Sequence, residues 1–193
     1  MRRLLAAALV LIPTAASAHP GLAHTHDFVH GFVHPLGGLD HVLAMIAVGL
    51  LAVQLGGRAL WHVPAAFILT MAAAGILAIS GGGIPYIETG IALSVLVLGT
   101  VVALRIGMPV VIAVAMVAGF AIFHGYAHGI EMPANEIASG WLYGVGFIAA
   151  TILLHGVGIA AGLLIARAPQ GVRIAQVAGG AMAIAGAALL LSN

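Results

Sequence analysis

Two segments put titratable side chains where an apolar chain makes them costly. "FHGYAHGIE", residues 123–131, holds His124 and His128 four residues apart, with Glu131 three further on. On a helix an i, i+4 pair shares one face, and two imidazoles so placed can grip one metal ion, as in the HExxH helices of zinc enzymes. Glu131, seven beyond His124, continues that face. A single histidine at a helix end commonly just bonds the backbone, but two in register with a carboxylate inside an apolar run argue for ligation. The second segment is "HPLGGLDH", residues 34–41. Pro35 suits a helix start, which places Asp40 and His41 in the opening turns of that helix. In a straight helix His34 and His41 would stand about 10 Å apart along the axis, too far to share an ion. Gly37-Gly38 is where the backbone could unwind and bring them together. Asp40 could ligate directly, orient His41 through a hydrogen bond, or merely complement the helix dipole.

Two weaker signals accompany them. His155, in "LLHGVG", lies eighteen residues after Ile137, a descent of about 27 Å if a helix begins there. A polar group at that depth marks an ion path or is a histidine bonded across helices. His19, His24, His26, His30 and His34, with Asp27 among them, crowd one short tract. A flexible tract of this composition gathers first-row metals at modest affinity; the plain alternative is a solvated tail. His62, beside Trp61, reads as an interface anchor and stays outside the site.

The elements that must position these groups are membrane helices. The 193 residues are 63% hydrophobic and 6% charged, with a mean hydropathy of +1.21. Apolar runs of spanning length fall at Leu36–Leu55, Trp61–Ser80, Pro85–Leu104, Pro109–His128, Ile137–Ala166 and Ile174–Leu191. The expected fold is therefore all-α, a polytopic bundle of six transmembrane helices. Before it, Arg2 and Arg3, a short apolar stretch and Ala16-Ser17-Ala18 read as a cleaved secretory signal. The expected divisions are a signal peptide at 1–18, a His-rich outer segment at 19–34 and the membrane domain at 35–193.

Orientation follows from two independent cues. Signal cleavage leaves the mature amino terminus outside, and Arg58, Arg105, Arg167 and Arg173 then all fall in loops facing the cytoplasm, as the positive-inside rule requires. Both mature termini are expected on the periplasmic side of a bacterial inner membrane, and both histidine motifs near its outer face. The formal charge of +1 is too small and scattered for a nucleic-acid footprint. With no cysteine, thiolate zinc sites, Fe–S clusters and disulfides are excluded. Nitrogen and oxygen must hold any metal, with methionine the only sulfur. Many of the 27 glycines recur at four-residue spacing, as at Gly125/Gly129 and Gly158/Gly162, which lets helix backbones approach closely in lipid.

At these motifs the sequence resembles the HupE/UreJ family, membrane proteins associated with hydrogenase and urease maturation and regarded as nickel, sometimes cobalt, permeases. The resemblance runs the length of the chain: the signal peptide, the histidine-bearing start of the mature chain, "HPLGGLDH" followed by "LAMIAVG", "FHGYAHGIE" and "LLHGVGIAAG". The first motif is also similar to the His/Asp-His signature of other nickel/cobalt permeases. The resemblance implies a metal set of His34, Asp40, His41, His124, His128 and Glu131, with His155 less directly. It implies Ni²⁺ or Co²⁺ as transported ion and no prosthetic cofactor. Ligand chemistry alone leaves zinc and copper open, with Met45 and Met132 as sulfur support for copper. The rival reading is an intramembrane zinc hydrolase in which Glu131 or Asp40 activates water; a bis-histidine haem protein is a third.

Overall fold

The computed structural model describes residues 28–130 and 137–192. Among them every regular element is a helix: α1 (Phe28–Gly37), α2 (Leu39–Leu55), α3 (Ala59–Ile79), α4 (Ile87–Ala103), α5 (Val110–Ile130), α6 (Ile137–Arg167) and α7 (Gly171–Ser192). The signal peptide, His19, His24, His26 and Glu131 lie outside the described residues.

The largest departure from expectation is at the amino-terminal end. Pro35 does not start a helix; it lies in the last turns of α1, and residues 28–34 of the histidine tract are helical. The break falls at Gly38, whose extended backbone (φ −96°, ψ 117°) interrupts the helical ladder, and α1 and α2 meet there at 86°. Four helices, α3, α5, α6 and α7, are each long and apolar enough to cross a bilayer, and the bent pair α1–α2 makes a fifth. The run expected from Pro85 to Leu104 forms only the 17 residues of α4, about 26 Å of rise against a hydrocarbon core of about 30 Å. Tyr86, in the left-handed region at φ 61°, stops α4 from extending backward.

Small residues set the helix pairs. A side chain on Gly125 would strike the Met71 carbonyl, and one on Gly129 the Gly75 carbonyl, so α3 and α5 pack backbone to backbone with chains parallel. Gly49 and Gly158 do the same for α2 against α6, also parallel, and Gly99, Gly179 and Gly186 for α4 against antiparallel α7. Without a hydrophobic drive between helices in lipid, this close contact is what holds them. α2 touches every other helix, and its Ala44, Met45, Ala47, Val48, Leu51 and Ala52 are fully buried. A helix apolar all round is expected at such a centre.

The two ends of the bundle differ in chemistry. Gln54, Arg105, Ala168 and Gly171 line one cavity, which gathers the α2 end, the α4 end and the α6–α7 turn at the arginine end. At the other end Tyr126 donates to the Gly82 carbonyl (3.0 Å) and ties α5 to the α3–α4 connection. Trp61 and Trp141, both largely exposed, mark the opposite ends as an aromatic belt would.

Candidate metal centre

The start of α2 fixes the first candidate ligand. Asp40 Oδ1 accepts the His41 backbone N–H (2.7 Å) and also meets the His41 ring at Nδ1 (2.8 Å). A carboxylate can only accept, so His41 carries its ring proton on Nδ1 and its lone pair on Nε2. Asp40 thus orients His41, as a carboxylate behind a metal-binding imidazole does, while its place in the first turn also suits the helix dipole. Gly38 is what lets the pair fold back over the helix start. A methyl group there would lie 2.8 Å from Asp40 Oδ1 and 3.1 Å from His41 Nδ1.

His41 Nε2 points at His128 Nε2, 2.7 Å away, across 87 residues of sequence. With the His41 proton held by Asp40, the proton between the rings sits on His128. Two nitrogens on one metal at about 2.0–2.1 Å each stand about 3.0–3.3 Å apart. Opening this pair by about half an ångström, with the His128 proton moved from Nε2 to Nδ1, would therefore admit an ion. His124 lies one turn below His128 on α5, its ring centroid 4.7 Å from that of His41. It is fully buried, and its Nε2 is 3.0 Å from Ser94 Oγ. Its Nδ1 has no hydrogen-bond partner among the described residues. A buried acceptor left so costs about 1–3 kcal/mol.

His34 completes the cluster from α1. Its ring meets His128 edge-on at 4.9 Å, while His30, one turn earlier, lies 6.0 Å from His34. Tyr143 of α6 packs against both, at 5.9 and 5.8 Å. The bend at Gly38 thus brings His34 and His41 to the same imidazole, as Gly37-Gly38 promised. Among the described residues no three His or carboxylate side chains gather their donor atoms on one point. The rings instead form a file, His30, His34, His128, His41, His124, running from the exposed surface into the bundle.

His155 stands apart from this file. It packs beside Gly49 on α2, eight residues after His41, so it lies about 12 Å deeper along α2. Phe67 of α3 separates the levels, its ring 5.3 Å from both His124 and His155. Both ring nitrogens of His155 are buried and lack a partner among the described residues. Sequence reasoning missed Ser94, Phe67 and Tyr143. Ser94, a lone hydroxyl in "IALSVLVLG", was the one visible signal, but serines in apolar helices commonly bond their own backbone.

Apolar helices packed through glycine, with imidazoles buried near one end of the bundle, define a multi-pass helical membrane protein with a buried histidine cluster. The family pattern described as "HupE / UreJ protein" matches residues 7–189, and the chain belongs to that family. It is similar to "Protein HupE" from Rhizobium leguminosarum bv. viciae, at 49% identity over 185 residues, covering 95% of this chain and 94% of the relative. No solved structure matches the chain.

Proposed function

We propose that the protein is a permease that carries a divalent transition metal, Ni²⁺ or Co²⁺, from the periplasm to the cytoplasm of a bacterium, for the maturation of an enzyme such as hydrogenase or urease. The observation that carries this reading is the buried His41–His128 pair, two Nε2 atoms 2.7 Å apart with Asp40 behind one of them. Neutral imidazoles with carboxylate support suit Ni²⁺ and Co²⁺. Family membership supports the narrowing to those ions. The bundle crosses the inner membrane six times in this proposal, with α1–α2 and the short α4 each counted as one span, and the arginine end faces the cytoplasm.

An ion gathered by the amino-terminal histidines, His19, His24, His26 and His30, passes His34 and takes the His41–His128 position with His124 and Glu131 as further ligands. It then moves past Phe67 to His155 and leaves toward the arginine end. Moderate binding at several stations is what lets an ion both enter and leave. Asp40, one of the two carboxylates a zinc hydrolase would use to activate water, is engaged with His41, which favours a carrier.

The test is uptake of radioactive nickel at submicromolar concentration by cells expressing the chain, with cobalt and zinc as competitors. Uptake no greater than that of cells lacking the protein would sink the proposal. Two expectations attach to the same assay. Lowering the outside pH from about 8 to 5.5 should weaken uptake progressively, because an imidazolium has no lone pair for a metal; a flat profile would count against histidine ligation. Gly38→Ala should lower Ni²⁺ affinity about tenfold, within the range for disturbing the support of a ligand, as read by calorimetry on the purified protein. The Gly38 backbone is one any residue adopts, so its melting temperature should barely move; unchanged affinity would show that the Asp40–His41 geometry is not critical.

A further inference from the structure

Ser94 lies in the middle of α4, fully buried, on a helix that contributes no ligand of its own. Its hydroxyl has one proton and two possible uses. Oγ is 2.6 Å from the Ile91 carbonyl oxygen and 3.0 Å from His124 Nε2. The carbonyl has no proton to give, so the short bond consumes the serine proton, and Oγ meets His124 as an acceptor. A neutral imidazole holds one proton and one lone pair, so His124 must be protonated on Nε2 and bear its lone pair on Nδ1. That Nδ1 is the buried atom without a partner among the described residues. At His41 the opposite holds, since Asp40 accepts the hydrogen bond from Nδ1–H and leaves the lone pair on Nε2.

We propose that Ser94 is a positioning residue that commits His124 to bind a divalent metal through Nδ1, while Asp40 commits His41 to bind through Nε2. The two imidazoles then face the ion with different ring atoms, each chosen by a neighbour that never touches the metal. The tautomer rests on hydrogen bonds alone; the metal rests on the permease reading above. The geometry also explains why a hydroxyl is present in an otherwise apolar stretch of α4. The partner atom for His124 must accept a proton without carrying charge into the bundle, and a serine locked onto its own helix backbone does so.

The experiment uses the full chain in nanodiscs with ¹⁵N-labelled histidine, Zn²⁺ as a diamagnetic probe and Ni²⁺ affinity by calorimetry. Metal-free protein should show His124 as the Nε2–H tautomer, and Zn²⁺ should shift its Nδ1 resonance. Ser94→Ala should scramble the tautomer and weaken Ni²⁺ binding by about 10- to 100-fold, and Ser94→Thr, which keeps the hydroxyl, should restore most of it. A hydroxyl that only fills space would change the melting temperature and leave the ¹⁵N spectrum alone. A metal-free Nδ1–H tautomer, a Zn²⁺ shift at Nε2, or wild-type affinity in Ser94→Ala would overturn the role of Ser94 while leaving the permease reading intact. Wild-type protein that binds neither metal would overturn both.

Discussion

Nickel uptake should fall at least about 100-fold on His41→Ala and on His128→Ala, and the double substitution should be no worse than the poorer single. The size follows from ligand arithmetic: disturbing a residue behind a ligand typically costs 10- to 100-fold, and losing a ligand should cost at least the upper figure. The absence of further loss follows from geometry. The two Nε2 atoms are 2.7 Å apart and face only one position, so removing either destroys the same site, and effects of groups that act as a unit do not add. Uptake of radioactive nickel, normalised to protein in the membrane, measures all three variants. Losses that multiply would mean that the two histidines serve separate ions. Losses that are small in both singles would mean that the pair is a structural bridge between α2 and α5.

Asp40→Ala provides the internal comparison for that experiment. His41 would keep its ring but lose the acceptor that holds its proton on Nδ1. A defect smaller than that of His41→Ala is therefore the expected order. The same reasoning separates this site from a simple hydrogen-bonded histidine pair, for which Asp40 would matter only through helix-start electrostatics of about 0.3–1 kcal/mol.

Much of this arrangement was legible in the sequence, and the parts that were not have physical reasons. Four of the apolar runs became α3, α5, α6 and α7 within a few residues of their expected ends, because apolar length alone decides such helices in lipid. The i, i+4 relation of His124 and His128 could be read from spacing, since it is local, and orienting His41 was one of the three roles that Asp40's place beside it left open. The start of the helix was misread because proline's preference for helix starts pointed to Pro35, although Gly37-Gly38 was read as the place where the backbone could unwind. The break instead falls at Gly38, where α2 begins and the Asp40–His41 pair needs room. Phe67 and Ser94 could not be placed at all. Each acts across a helix interface, and an apolar run carries no periodicity from which to tell which face of a fully apolar helix meets which neighbour.

His155→Leu should separate transport from stability by moving them in opposite directions. The imidazole is nearly inaccessible, and neither nitrogen finds a partner among the described residues. Replacing an unsatisfied buried polar group by an apolar one of similar size is nearly neutral or stabilising. The melting temperature should therefore hold or rise. Uptake should nevertheless drop at least about tenfold, because a multi-site path loses its deeper station. Nickel affinity measured by calorimetry should stay within about threefold of wild type, since Phe67 stands between His155 and the His41–His128 level and separated sites perturb one another little. A packing histidine would give the reverse pattern, with stability falling and uptake following protein abundance. Uptake that persists at the wild-type rate in a fully stable variant would remove His155 from the path and leave the buried lone pair without a function. The prediction is exacting because a polar ring stands where leucine should fold at least as well, and in lipid such a residue is by default a functional one.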